Sequence, residues 1–402
     1  MGLHDTVSAE RLHIGFFGMR NAGKSSLVNA VTGQALSVVS DVKGTTTDPV
    51  KKAMELLPLG PVVILDTPGI DDEGDLGAMR VEKARQALVK TDIAVLVADG
   101  AVGLSGEDKK LIRLFDQKKI PHIVAFNKAD LVHDRVTLGK NEIYVSALTG
   151  EGVEALKEML GEFGKPLQSP KLLVRDLLSA GDLVVLVTPI DESAPKGRLI
   201  LPQQMVLRDV LDAHATAIVC QDTELAQTLE NLGQKPRMVI TDSQVFGKVA
   251  KNTPADIPLT SFSILMARYK GDLKPLVQGF AALNHLQNGD KILISEGCTH
   301  HRQCKDIGTV KIPGWIEAFS GVKPDYRFTS GGEYPEDLSE YHVIVHCGGC
   351  MLNEAEMKRR MESAKVQGIP IVNYGIAIAG MHGILRRSLE LFPDVLALLD
   401  TH

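Results

Sequence analysis

The chain has 402 residues, 44% of them hydrophobic and 23% charged, and a formal net charge of −6. That length predicts two or three ordered domains, and the acidic balance gives no electrostatic reason to expect nucleic acid, which needs basic surface to displace counterions. No apolar run approaches the roughly 20 residues of a spanning helix and the N-terminus lacks a secretory pattern, so the expectation is a cytoplasmic protein without membrane partners.

From Leu12 to about Gly164 the sequence alternates strand, glycine-rich loop and helix through RLHIGFFG, GKSSLVNAVTG, PVVILDTPG, IAVLVADG, HIVAFNKAD and EIYVSAL. Apolar strands alternating with helices predict a parallel sheet covered on both faces, with ligands at the carboxyl ends of the strands. The stretch KPLQSPKL, with Pro166 and Pro170, reads as a linker. After it, LVVLVTPI, AIVC and MVITDS alternate with helical segments and form a second, small α/β unit without an evident catalytic constellation. A third unit holds the strand candidates KILISEG, YHVIVHC and IPIVNYG, with a helix candidate between the last two. The expected fold class is therefore α/β throughout. A P-loop nucleotide domain covers 1–165, followed by two smaller domains with parallel sheets over 172–262 and 263–402.

GMRNAGKS, from Gly18 to Ser25, follows a strand and opens a helix, as a phosphate-binding loop must. The loop assigns Asn21, Ala22, Gly23, Lys24, Ser25 and Ser26 to the nucleotide. Lys24 reaches the β and γ phosphates, and the Ser25 hydroxyl serves magnesium. Asp66 ends an apolar strand and is the expected magnesium-holding acid, while the Gly69 amide faces the γ phosphate. Thr46, in the run GTTTD, is the threonine expected to close on magnesium when triphosphate is bound. Asn127, Lys128 and Asp130 lie in the motif NKAD, where the Asp130 carboxylate accepts two hydrogen bonds from guanine that adenine cannot offer. Ser146 and Ala147 are expected to complete the base pocket through backbone amides. The ligands implied are GTP or GDP with Mg2+, and the expected activity is GTP hydrolysis, for which Lys24, Thr46, Asp66 and Gly69 are the catalytic candidates.

This motif order resembles the translation-factor-like GTPases, especially their tRNA-modification and ribosome-assembly branch. Ile70 stands where Ras-like proteins place a water-orienting glutamine, so slow or differently arranged hydrolysis is expected. The resemblance also implies that Asn21 helps hold a potassium ion, although asparagine at a turn has a plain conformational reading.

Cys298 and His300 follow one strand of the third unit, and His346, Cys347 and Cys350 follow another. Parallel strands would bring both segments to one edge, and a helix capped by Asn353 with Glu356 would start just beyond Cys350 and favour thiolate. A structural zinc site, a redox pair of Cys347 and Cys350, and a cluster held by three thiolates all fit this spacing. Cys304 reads as a solvated thiol and Cys220 as buried packing.

Joined to this GTPase, the C-x-H and H-C-x-x-C motifs resemble the HydF family of FeFe-hydrogenase maturation GTPases. The resemblance implies a homodimer paired through the middle domain. It implies a four-iron four-sulfur cluster on Cys298, Cys347 and Cys350, with His300 or His346 as a labile fourth ligand. It also implies a scaffold that takes a di-iron precursor made with two radical-SAM maturases and delivers it to apo FeFe-hydrogenase. The competing expectation is an RNA-modification or ribosome-assembly GTPase with a structural zinc site.

Overall fold

The computed structural model describes residues 11–33, 50–67, 87–165, 173–190, 199–297 and 307–400. The chain divides into two compact units, 1–170 and 171–402.

In the first unit, β1 (Leu12–Phe17), β2 (Val50–Leu56), β3 (Gly60–Asp66), β4 (Ile93–Asp99), β5 (His122–Asn127) and β6 (Glu142–Tyr144) form one sheet in the order β2-β3-β1-β4-β5-β6. All pairs are parallel except β2 with β3, so the expected parallel sheet carries one antiparallel edge strand. That strand, VKKAMEL, pairs on one side only and is rich in helix formers, which hid it from a reading based on apolar runs. Helices α1 (Lys24–Thr32), α2 (Gly106–Gln117) and α3 (Val153–Gly164) cover the sheet. Along β4, Ile93, Val95 and Val97 join the core beneath α1 and α3, while Ala94, Leu96 and Ala98 join the core beneath α2. Burial on both faces is why this strand is a continuous apolar run.

The second unit contains two four-stranded sheets that are parallel throughout. The first has the order β10-β9-β7-β8, built from β7 (Leu183–Val187), β8 (Thr216–Cys220), β9 (Met238–Thr241) and β10 (Leu259–Ser261). The second has the order β12-β11-β13-β14, built from β11 (Lys291–Glu296), β12 (Asp325–Ser330), β13 (Val343–His346) and β14 (Ile371–Asn373). Helices α4 (Leu201–Asp212), α5 (Leu225–Asn231), α6 (Phe246–Asn252), α7 (Phe262–Lys270), α8 (Leu273–Phe280), α9 (Ile312–Ser320), α10 (Glu354–Val366) and α11 (Tyr374–Met381) pack around them. One apolar core runs through both sheets, taking Val185 and Val239 from the first, Ile292 and Val345 from the second, and Ile264 and Leu265 from α7. Among the described residues no helix is long and apolar enough to cross a membrane.

Candidate functional site

The loop between β1 and α1 is shaped by backbone that favours glycine: Gly18 has φ +140°, Asn21 +60° and Gly23 +84°. A Cβ at Gly18 would lie 2.1 Å from the Val97 carbonyl oxygen, and one at Gly23 would lie 2.3 Å from Asn127 Nδ2, so neither position tolerates a side chain. Asn21 takes the left-handed conformation, which asparagine adopts more readily than most residues. At the N-terminus of α1 there is no side-chain cap, leaving its first amides to an anion. Lys24 is buried and its ammonium donates to the carbonyls of Gly18 (3.0 Å) and Met19 (2.9 Å), which fixes the charge against the loop.

Ser25 Oγ donates to Asp66 Oδ2 at 2.9 Å. Asp66 is only 4% exposed, and its Oδ1 is buried without a hydrogen-bond partner among the described residues. An unanswered buried acceptor costs about 1–3 kcal/mol, and more when charged. A hydroxyl and an orphaned carboxylate oxygen at the mouth of a phosphate loop are the hard oxygen donors magnesium takes, so the residues present fit that ion. Thr46 and Gly69 lie outside the described residues.

On the base side the structure redistributes the expected roles. Asn127 is a tie: Nδ2 donates to the carbonyls of Ala22 (3.0 Å) and Gly23 (3.4 Å), while Oδ1 accepts from the Ala147 amide at 3.0 Å. The Ser146 amide donates to the Glu151 carbonyl, so both amides expected to face the base are engaged within the protein. Ser146 Oγ instead donates to Asp130 Oδ1 at 2.5 Å and holds that carboxylate in place. Lys128 pairs with Asp99 at 2.6 Å. Arg135, outside every motif, donates to the Ala129 carbonyl at 3.0 Å, pairs with Glu151 at 2.5 Å and lies over the Tyr144 ring. It joins the two base-side loops, and only its proximity in space reveals it.

In the second unit, β11 and β13 are adjacent and parallel with Ser295 opposite His346, so their carboxyl ends coincide. The chain runs from β11 to β12 on one side and then to β13 on the other, which makes this edge a switch point where a crevice forms. Cys298 and His300 lie outside the described residues, as does Cys304, but Gly297, which precedes Cys298, donates its amide to Cys347 Sγ at 3.0 Å. The Gly349 amide approaches the same sulfur at 3.4 Å. Amides aimed at sulfur stabilise thiolate and tune clusters, so these residues fit an iron-sulfur group.

Burial weighs against the amides at these thiols. Burial pushes the Cys347 thiol up to about 11, with Cys350 adding to the rise and the two amides opposing it. Asn353 does cap α10, accepting from the Glu356 amide at 3.1 Å, but the Glu356 carboxylate turns to Arg359 and Arg360. Metal binding therefore has to displace the Cys347 proton. Cys220 is half-buried, and burial raises its thiol pKa.

His346 is corrected as a labile ligand. It is fully buried; its Nδ1 donates to the Cys347 carbonyl at 2.7 Å, and its Nε2 accepts from Arg360 Nη1 at 3.1 Å. With both nitrogens engaged it has no lone pair to offer a metal in this arrangement. Burial, and then the neighbouring Arg360 charge, lower its pKa to about 4 and keep it neutral. Arg360, itself 0% exposed, also donates to Glu356 (2.7 Å), Ser295 (3.3 Å) and the Gly331 carbonyl (2.6 Å). No motif marks it, and only its partners in space reveal the role.

The strand order and phosphate loop of the first unit define a P-loop GTPase domain, and residues 13–128 match the 50S ribosome-binding GTPase family. Residues 173–271 match the hydrogen maturase F dimerization domain, and residues 274–391 match the hydrogen maturase F tetramerization domain. The chain belongs to the hydrogen maturase F family. It is 34% identical over 167 residues to the tRNA modification GTPase MnmE of Chromobacterium violaceum, covering 39% of this chain and 37% of that protein. It is 28% identical over 223 residues to GTPase Der of Kosmotoga olearia, covering 50% of each. The chain thus spans half or less of the length of these two relatives. A solved structure of Aquifex aeolicus Era bound to GDP.AlF4- matches at 20% identity and TM-score 0.34, covering 52% of this chain and 92% of that one.

Proposed function

We propose that this chain binds and hydrolyses GTP with magnesium and carries a four-iron four-sulfur cluster on Cys298, Cys347 and Cys350. It acts as the cytoplasmic scaffold that receives a di-iron precursor and passes it to apo FeFe-hydrogenase, working with the radical-SAM maturases that supply the precursor. One observation carries the cluster assignment: the amide of Gly297, the neighbour of Cys298, donates to Cys347 Sγ at 3.0 Å across two parallel strand ends.

In the nucleotide site, Lys24 and the first amides of α1 take the phosphates, Ser25, Asp66 and Thr46 hold the cation, and the Gly69 amide faces the γ phosphate. Bound magnesium neutralises charge that develops between the β and γ phosphates. Asp130 keeps lone pairs for guanine while Ser146 occupies part of one oxygen. Asn21, exposed on the loop, is the potassium-holding residue, and equal hydrolysis rates in potassium and sodium would remove that role. Pairing into a homodimer is supported by β8, an edge strand whose Val219 is 43% exposed, because an open edge is a template for another chain.

The decisive experiment is anaerobic purification with iron and sulfide analysis of the native protein and of Cys298→Ser. Native protein should be brown and hold both elements, and the variant should lose them while still binding GTP. Colourless native protein carrying stoichiometric zinc would overturn the cluster reading and leave the nucleotide reading intact.

A further inference from the structure

Lys270, the last residue of α7, is 2% exposed, an unusual place for an ammonium group. Its Nζ donates to the carbonyls of Gly349 (3.2 Å), Cys350 (3.3 Å) and Leu352 (2.5 Å). Three carbonyl acceptors among the described residues suit an ammonium group, which has three N–H bonds where a neutral amine has two. These carbonyls belong to the loop that carries Cys347 and Cys350 away from β13. The start of α7 lies at the same edge, because Asn373 at the end of β14 donates to the Ser263 carbonyl at 3.1 Å. Lys270 falls within the dimerization-domain match, and the loop it holds falls within the tetramerization-domain match.

We infer that Lys270 is a positioning residue for the cysteine loop, so that the metal site in one segment is completed by a charge from the other. This rests on the cluster reading above. A buried cation is costly to desolvate, and a carbonyl cage offsets part of that cost. A thiolate-bound cluster beside it supplies the matching negative charge. Reduction of that cluster by one electron makes the site more negative, and a cation held in low dielectric stabilises the reduced form more than the oxidised one. Lys270 therefore both fixes the loop and raises the midpoint potential.

The test uses the full-length chain, reconstituted anaerobically with ferrous iron and sulfide, as native protein, Lys270→Met, Lys270→Arg and Lys274→Met. Lys270→Met should hold iron on the order of tenfold less tightly against a chelator, the size typical of lost outer-shell support. In a dithionite titration followed by electron paramagnetic resonance, its remaining cluster should reduce at a lower potential. Lys270→Arg, which keeps the charge, should recover most of that potential. Lys274→Met, at an exposed position on α8, should match the native protein. Native iron retention and native potential in Lys270→Met would overturn the inference. So would loss of the native melting transition in both Lys270 variants, which would make the lysine a core element of the fold. Native protein without iron would instead bring down the cluster reading itself.

Discussion

The nucleotide site and the cysteine site occupy the same topological place in different sheets. Each lies at the carboxyl end of a strand whose successors go to opposite sides, β1 between β3 and β4, and β11 between β12 and β13. They differ in how the polar groups are answered. At the first, a carboxylate oxygen of Asp66 is left orphaned in the interior, pointing to an ion that completes it. At the second, two buried cations, Arg360 and Lys270, bind carbonyls and side chains around the loop until His346 has no free nitrogen. One site is finished by its ligand, while the other is stiffened before any ligand arrives.

The contrast can be broken most sharply at Asp130. Asp130→Asn removes one of the acceptors that reads guanine and should reduce selectivity for GTP over ATP by up to about 10⁴, measured by competition binding. Unchanged guanine preference would show that base reading lies elsewhere. Arg360→Met should cost about 3–5 kcal/mol in denaturant unfolding, because it strips a partner from the buried Glu356 and from His346. Adding Glu356→Gln should cost less than the sum of the two single changes, since both belong to one network. Additive losses would mean that the network is not coupled.

The smallest effect is expected at Asp176, which pairs with Arg268 of α7. The hydrogen bond from Arg268 holds its carboxyl below the ordinary value, so the folded state binds fewer protons than the unfolded state as pH falls through the carboxylate range. Its contribution is present above the unfolded value of about 4 and is lost progressively as pH falls through the lowered folded value. Asp176→Asn should therefore lower the melting temperature slightly at pH 7 and by less at about pH 3. An equal loss at both values would assign the effect to packing.

Local sequence was enough for the phosphate loop because its chemistry is made by consecutive residues. Glycines that cannot accept a Cβ, the lysine and the serine all lie within eight positions, and β1 and α1 aim them. The apolar runs of β4, β5, β7, β11 and β13 were equally plain, since burial on both faces writes itself as unbroken hydrophobicity. The edge strands β2 and β12 were hidden by their mixed polar and apolar sequences, VKKAMEL and DYRFTS.

What sequence alone determined is the class of each site, from motifs whose spacing the chemistry constrains. Tertiary structure decided the division of labour among polar residues: that Asn127 ties loops, that Arg135 joins them, that His346 serves Arg360 and the Cys347 carbonyl, and that Lys270 reaches the cysteine loop. Apart from the adjacent Cys347 carbonyl, those roles depend on hydrogen-bond partners 6 to 105 positions apart in the chain. Such partners are fixed by which strands lie side by side, a property that no stretch of local sequence contains.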